Sequence, residues 1–185
     1  MGKRLKPNVL VTGTPGTGKS SFCEEAAERT GLKHVNVSEV AKEKGYTEGY
    51  DPEYDTAILD EDALLDDLEE VTSDGGVIVD YHSAELFPKR WFDLVLVLRT
   101  DNTILYDRLS GKRGYSGKKL SENMECEIMG TLLEEAKEAY DQEIVHELRS
   151  DTMSDMEQNI ERLCVWLKNW CTNNQEVCTA TSSSW

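Results

Sequence analysis

No apolar run in this sequence approaches the ~18 residues that a membrane-crossing helix needs. The basic start, Met1-Gly2-Lys3-Arg4-Leu5-Lys6, also lacks the apolar segment of a secretory signal. Both absences predict a chain with no membrane partner. No Cys-x-x-Cys pair occurs among Cys23, Cys126, Cys164, Cys171 and Cys178. That spacing, and the odd number of thiols, argue against a zinc framework or a disulfide scaffold and for small buried side chains in a reducing compartment, the cytosol or nucleus. No internal repeat is visible. Positive charge is scarce as well: 20 Lys and Arg stand against 36 Asp and Glu, a net charge of −16. A field of that sign repels phosphate backbones and excludes broad nucleic-acid binding. The shortage is uneven, since residues 45–88 contain no Lys or Arg at all. This stretch is either a solvated face or a surface that receives a basic protein.

What the sequence does have is a phosphate-binding loop. Gly13-Thr14-Pro15-Gly16-Thr17-Gly18-Lys19-Ser20 fits the pattern of glycine, four residues, then Gly-Lys-Ser. The apolar run Val9-Leu10-Val11 before it reads as a buried strand. Residues 20–30 after it read as a helix stopped by Gly31. In that context Gly16 and Gly18 let backbone N–H groups curl toward a triphosphate, and Ser21 lies in the helix turn whose positive end faces it. Lys19 reaches the outer phosphates, and the Ser20 hydroxyl is a ligand for Mg²⁺. ATP and Mg²⁺ are the expected cofactors.

Further strands are expected at residues 33–37, 77–80, 94–98 and 144–148. Helices are expected at 38–44 (capped by Ser38), 60–73, 101–109, 120–140 and 154–170. Residues 45–59 read as a polar, mobile insertion, and residues 172–185 as a disordered tail. Strands alternating with helices predict one α/β domain over residues 1–171, a parallel sheet covered on both faces. At the carboxyl end of such a sheet Asp80 is placed to hold Mg²⁺, its alternative being a turn or cap residue. His82 either orients the attacking water or the acceptor, or is structural. Lys112, Arg113, Lys118 and Lys119 form a glycine-flanked basic island, with Arg108 one turn earlier. It is either a cationic loop that closes over a triphosphate or a soluble surface turn. Arg113 is the first candidate for contact with the transferred phosphoryl and Arg108 the second, while Arg99 can instead pair with the acidic helices.

Several segments together resemble the adenylate kinase family, and more narrowly the adenylate kinase isoenzyme 6 group, also called the coilin-interacting nuclear ATPase. They are the glycine loop, Gly49-Tyr50-Asp51-Pro52, Ile58-Leu59-Asp60-Glu61-Asp62, Gly75-Gly76-Val77-Ile78-Val79-Asp80-Tyr81-His82 and Phe87-Pro88-Lys89-Arg90-Trp91-Phe92, continued by Arg113-Gly114-Tyr115 and Glu143-Ile144-Val145-His146. The resemblance implies a P-loop NTPase-type three-layer fold of the nucleoside monophosphate kinase kind. Within it, residues 36–59 would bind the monophosphate and residues 111–121 would form a short lid. It implies phosphoryl transfer from ATP to AMP and related monophosphates, with ATP hydrolysis as a second activity. Maturation of the small ribosomal subunit through a basic ribosomal protein, work in nucleus and cytoplasm, and a monomeric state are further implications. Two departures accompany it. Lys42 stands where such relatives carry an arginine for the acceptor phosphate, giving a point charge in place of a two-pronged fork. The lid is one residue longer around residues 110–112.

Overall fold

The computed structural model describes residues 4–52 and 56–181. In chain order its elements are β1 (Val9–Thr12), α1 (Lys19–Thr30), β2 (Lys33–Asn36), α2 (Val37–Lys44), β3 (Thr47–Asp51), β4 (Thr56–Leu59), α3 (Glu61–Ser73), β5 (Val77–Asp80), β6 (Leu94–Arg99), α4 (Asn102–Asp107), α5 (Gly117–Met129), α6 (Thr131–Ala139), β7 (Val145–Arg149) and α7 (Met153–Thr181). The main sheet has the order β2-β5-β1-β6-β7, and every neighbouring pair is parallel.

Its central strands are apolar on both faces, as a doubly covered parallel sheet requires. The two-residue period of a strand sends alternate side chains to opposite sides. Leu10, Val79, Val95 and Val97 pack on one face beneath Leu64, Leu68, Leu133 and Ala136. Val9, Val11, Ile78 and Leu96 pack on the other beneath Phe22, Cys23, Ala26, Ile160 and Leu163. One layer is therefore α2, α3 and α6, and the other is α1 and α7. The expected three-layer α/β architecture with a parallel sheet is what the chain adopts.

Four local readings change. Asn36, not Ser38, caps α2: its side chain accepts from the Glu39 N–H. Residues 47–59 contain a two-stranded antiparallel pair, β3 with β4, in place of irregular chain, although residues 53–55 lie outside the described residues. The helix expected at 120–140 is two helices, because Gly130 takes φ 68°, a left-handed conformation that no right-handed helix continues through. Helix α7 continues to Thr181, past the expected start of the tail at 172. Residues 171–181 offer neither glycine nor proline to stop it. Residues 182–185 lie outside the described residues. Among the described residues no helix is long and apolar enough to cross a membrane.

Gly13 shows how tightly the loop is fitted to the sheet. Its φ is 147°, and a Cβ there would stand 2.6 Å from the Leu98 carbonyl oxygen and 2.9 Å from Thr17 Oγ1. Gly13→Ala is expected to displace the loop from β6 and destabilise the fold by about 1–3 kcal/mol. A urea titration beside the native protein checks this, and an unchanged midpoint would contradict it.

Candidate active site

The loop between β1 and α1 hangs from the carboxyl end of the sheet and is tied down from three directions. Within it, Thr17 Oγ1 donates to the Thr14 carbonyl at 2.8 Å, and Lys19 Nζ donates to the Gly13 carbonyl at 2.8 Å. Gly16 and Gly18, with φ of 92° and 90°, supply the positive angles that turn its N–H groups inward. From α5, Glu127 reaches across. Its carboxylate accepts from Thr14 Oγ1 at 2.6 Å, from the Thr100 N–H at 2.9 Å and from Arg99 Nε at 2.9 Å. From the π-turn after α4, Arg108 donates to the Gly16 carbonyl at 3.2 Å.

Lys19, Ser20, Asp80, His82 and Arg113 line a single cleft of ≈ 610 Å³, which also takes in Asn36 at the start of α2. The strand β5 delivers Asp80 to its position, and its side chain is almost fully buried. Ser20 Oγ donates to Asp80 Oδ2 at 2.6 Å, and Asn36 Nδ2 stands 3.4 Å from the same oxygen. A hydroxyl and a carboxylate are hard oxygen donors of the kind Mg²⁺ takes, so Ser20 and Asp80 fit that ion. Burial pushes the Lys19 ammonium down to about 8, against the pull of Asp80. His82 is also lowered, first by burial and then by the Lys19 charge, so its imidazole is neutral at neutral pH.

A second cleft of ≈ 420 Å³ opens on the far side of the loop, lined by Gly16, Gly18, Ser21, Arg108 and Thr152 among others. Arg113 lines both clefts. Arg108 sits at this second cleft with its guanidinium held by carbonyls: those of Gly16 at 3.2 Å, Ser150 at 3.1 Å and Asp151 at 2.7 Å. It braces the loop against the turn after β7. Lys42 is exposed on α2 and does not line the first cleft.

Three contributors were not singled out from the sequence. Asn36 both caps α2 and approaches Asp80; an asparagine at the end of an apolar strand was the available signal. Tyr115 lines the first cleft from the lid beside Lys119 of the expected basic island, whose Nζ lies 4.7 Å over the Tyr115 ring. Glu127 is one of many acidic residues on exposed helices, and nothing local marks it as the buried one. The expected pairing of Arg99 with an acidic helix is made with it.

A family model described as an AAA domain matches residues 9–130. Proteins named adenylate kinase isoenzyme 6 homolog are similar over most of the chain. The one from Caenorhabditis elegans is 51% identical over 163 residues, 87% of this chain and 89% of its own. The one from Dictyostelium discoideum is 49% identical over 172 residues, 93% of this chain and 98% of its own. Among solved structures, a shikimate kinase from Acinetobacter baumannii in complex with shikimate aligns with a TM-score of 0.61 at 17% identity, covering 89% of this chain and 94% of that one. A gluconokinase from Sinorhizobium meliloti 1021 aligns at 0.54 and 16%, covering 91% and 99%. At such identities these two structures speak to the fold alone.

Proposed function

This chain belongs to the AAA domain family over residues 9–130 and to the adenylate kinase isoenzyme 6 family over most of its length, and from that premise we propose that it transfers the γ-phosphoryl of ATP to AMP and related nucleoside monophosphates. One observation carries the reading: two clefts flank the phosphate loop, and Arg113 lines both. The far cleft, between Gly18 and the Thr152 turn, takes the nucleoside of the donor. The near cleft, running from Lys19 past Asp80 to α2, takes the outer phosphates and the acceptor. A donor and an acceptor meeting at one loop convert a bimolecular displacement into a positioned one.

Lys19 leaves the Gly13 and Thr14 carbonyls to hold the β- and γ-phosphates, and Arg113 neutralises charge on the transferred group from the lid side. Neutral His82 orients the acceptor phosphate, or a water when no acceptor is present. Ser20 and Asp80 hold the metal. Mg²⁺ bound there supplies neutralisation of the phosphate oxygens. Lys42, exposed on α2, contacts the acceptor when α2 swings inward on binding.

The test is to supply Mg-ATP and AMP and to quantify ADP and inorganic phosphate separately. Two ADP formed for each AMP consumed, with little phosphate, is the expected result. Phosphate release indifferent to AMP would replace this reading with a second one, an ATPase switch for a basic small-subunit ribosomal protein in nucleus and cytoplasm. That alternative draws support from α3. Asp62, Asp66 and Glu70 recur every four residues and are all exposed, so they form an acidic ridge in the stretch that lacks Lys and Arg.

A further inference from the structure

Behind the phosphate loop, three side chains from three elements meet under α1. Cys23 comes from the second turn of α1, His34 from β2 and Asp80 from β5. One ligand atom from each lies within 4.8 Å of the other two. The register explains the meeting: His34 and Asn36 on β2 face the same side as Ile78 and Asp80 on β5, the side that α1 covers. His34 Nε2 is shielded from solvent and has no hydrogen-bond partner, although Asp80 Oδ2 is 3.7 Å away. An orphaned buried ring nitrogen aimed at a carboxylate and a thiol is an arrangement that ordinary core packing does not need.

We propose that Cys23, His34 and Asp80 form a site for a thiophilic divalent cation of the Zn²⁺ class, sharing only Asp80 with the oxygen pair that suits Mg²⁺. Sulfur, imidazole nitrogen and carboxylate oxygen are the three donor types that Zn²⁺ takes, and bonds of roughly 2.0–2.3 Å in tetrahedral array separate ligand atoms by about 3.3–3.7 Å. The His34–Asp80 separation already falls at that spacing. Of the three residues Asp80 also lines the first cleft, from which a water or a phosphate oxygen would complete the shell. Coordination forms a metal–sulfur bond and releases the thiol proton to solvent. Burial raises the Cys23 thiol, so the free protein carries that proton.

The site has a consequence that rests on the proposed phosphotransferase reading. Asp80 cannot serve both ions freely, because Oδ2 faces Ser20 and His34 alike. A cation held by Cys23 and His34 captures the carboxylate that Ser20 and Mg²⁺ would share, and turnover stops. The site is therefore inhibitory, and excess Mg²⁺ weakens the inhibition.

Co²⁺ replaces Zn²⁺ as a visible probe. Titrated into the full, reduced chain without nucleotide, it is expected to give a near-ultraviolet thiolate charge-transfer band and the intense visible bands of a four-coordinate ion. Cys23→Ala is expected to remove the charge-transfer band. His34→Gln is expected to weaken Co²⁺ binding by more than the roughly 10–100-fold that loss of an outer-shell partner costs. Thermal melts verify that both variants fold, and Cys23→Ser serves if Cys23→Ala does not. No band, a band that survives loss of Cys23, or unchanged affinity in His34→Gln would each overturn the site. In assays with Mg-ATP and AMP, micromolar Zn²⁺ is expected to inhibit the native protein and to spare Cys23→Ala. Equal inhibition of both would overturn the inhibitory role. If neither protein turned over, the phosphotransferase reading would fail while the Co²⁺ spectrum still decided the site.

Discussion

Lys19→Met is expected to lower the rate of phosphoryl transfer by about 10²–10³-fold or more while leaving the fold intact. Methionine matches the length of the lysine stem, so the packing around α1 survives. What is lost is the one ammonium on the loop, half-buried and donating to the Gly13 and Thr14 carbonyls in the free protein. Removing a single preorganised donor from a desolvated phosphoryl or oxyanion site costs on that order. Because the ground-state phosphates keep the loop N–H groups, the effect falls on kcat more than on KM. Initial rates of ADP formation check this, and a variant that kept a tenth of native activity would refute it.

The same residue has a pH signature. In the free protein its ammonium titrates near about 8, below its ordinary value of 10.5, because burial disfavours the charged form. A triphosphate stabilises the charged form and raises the group again. Nucleotide binding therefore takes up a proton above about pH 8, and ATP affinity falls as pH rises from there toward 10.5. The stability sign is the opposite. Between those values the unfolded chain holds the proton and the folded chain does not, so the contribution of Lys19 to stability rises with pH across that window. Calorimetry of ATP binding in buffers of different ionisation enthalpy reads the uptake directly, and the dependence is expected to vanish in Lys19→Met.

The central strands were readable because they are buried on both faces. Val9–Thr12, Val77–Asp80 and Leu94–Arg99 appear in the sequence as unbroken apolar runs, and the glycine loop sits between the first strand and its helix. The β3–β4 pair was not readable. Its first strand, Thr47-Glu48-Gly49-Tyr50-Asp51, is almost wholly exposed, so cross-strand backbone bonds define it rather than any hydrophobic alternation. Ser38 and Asn36 are both capping residue types two positions apart, and only the fold decides which N–H is reached. Gly130 lies inside an otherwise helical pattern, where one glycine is usually tolerated.

The site divides in the same way. Lys19, Ser20 and Asp80 announce themselves through motif and strand position. Arg108 has the composition of a phosphate ligand, yet its guanidinium is held by three carbonyls brought to it from residues 16, 150 and 151. The Cys23–His34–Asp80 cluster depends on strand register between β2 and β5, which no spacing in the sequence encodes.

Glu127→Ala is expected to be the most damaging single change outside the glycine loop. The native carboxylate is 2% exposed and serves three donors on three elements: Thr14 of the loop, Arg99 at the end of β6 and the Thr100 N–H beyond it. Arg99 Nη2 adds a bond to the Glu127 carbonyl at 2.7 Å, and Nη1 reaches Glu147 on β7 at 3.4 Å, so the guanidinium ties this turn of α5 to the sheet. Alanine leaves the Thr14 hydroxyl and the Thr100 N–H without this acceptor and takes the buried carboxylate from Arg99, which keeps the residue-127 carbonyl and Glu147; the loss is about 2–4 kcal/mol. For a chain of this size the melting temperature falls on the order of 10 °C. Glu127→Gln separates charge from shape. Its amide oxygen still accepts from Arg99 and Thr100, and its NH₂ can donate to the Thr14 hydroxyl, so the loss is expected to be about 1–2 kcal/mol. Thr14→Val tests the link to the phosphate loop. If Glu127 orients the loop through Thr14, the cost of Thr14→Val to ATP affinity measured in the Glu127→Gln background shrinks relative to its cost in the native protein. Strict additivity would mean that α5 stabilises the sheet but does not set the loop. Because α5 begins within the basic lid, a measured coupling would give lid position a physical route to the loop: through one carboxylate, from the helix that carries Lys119 to the hydroxyl beside the phosphates.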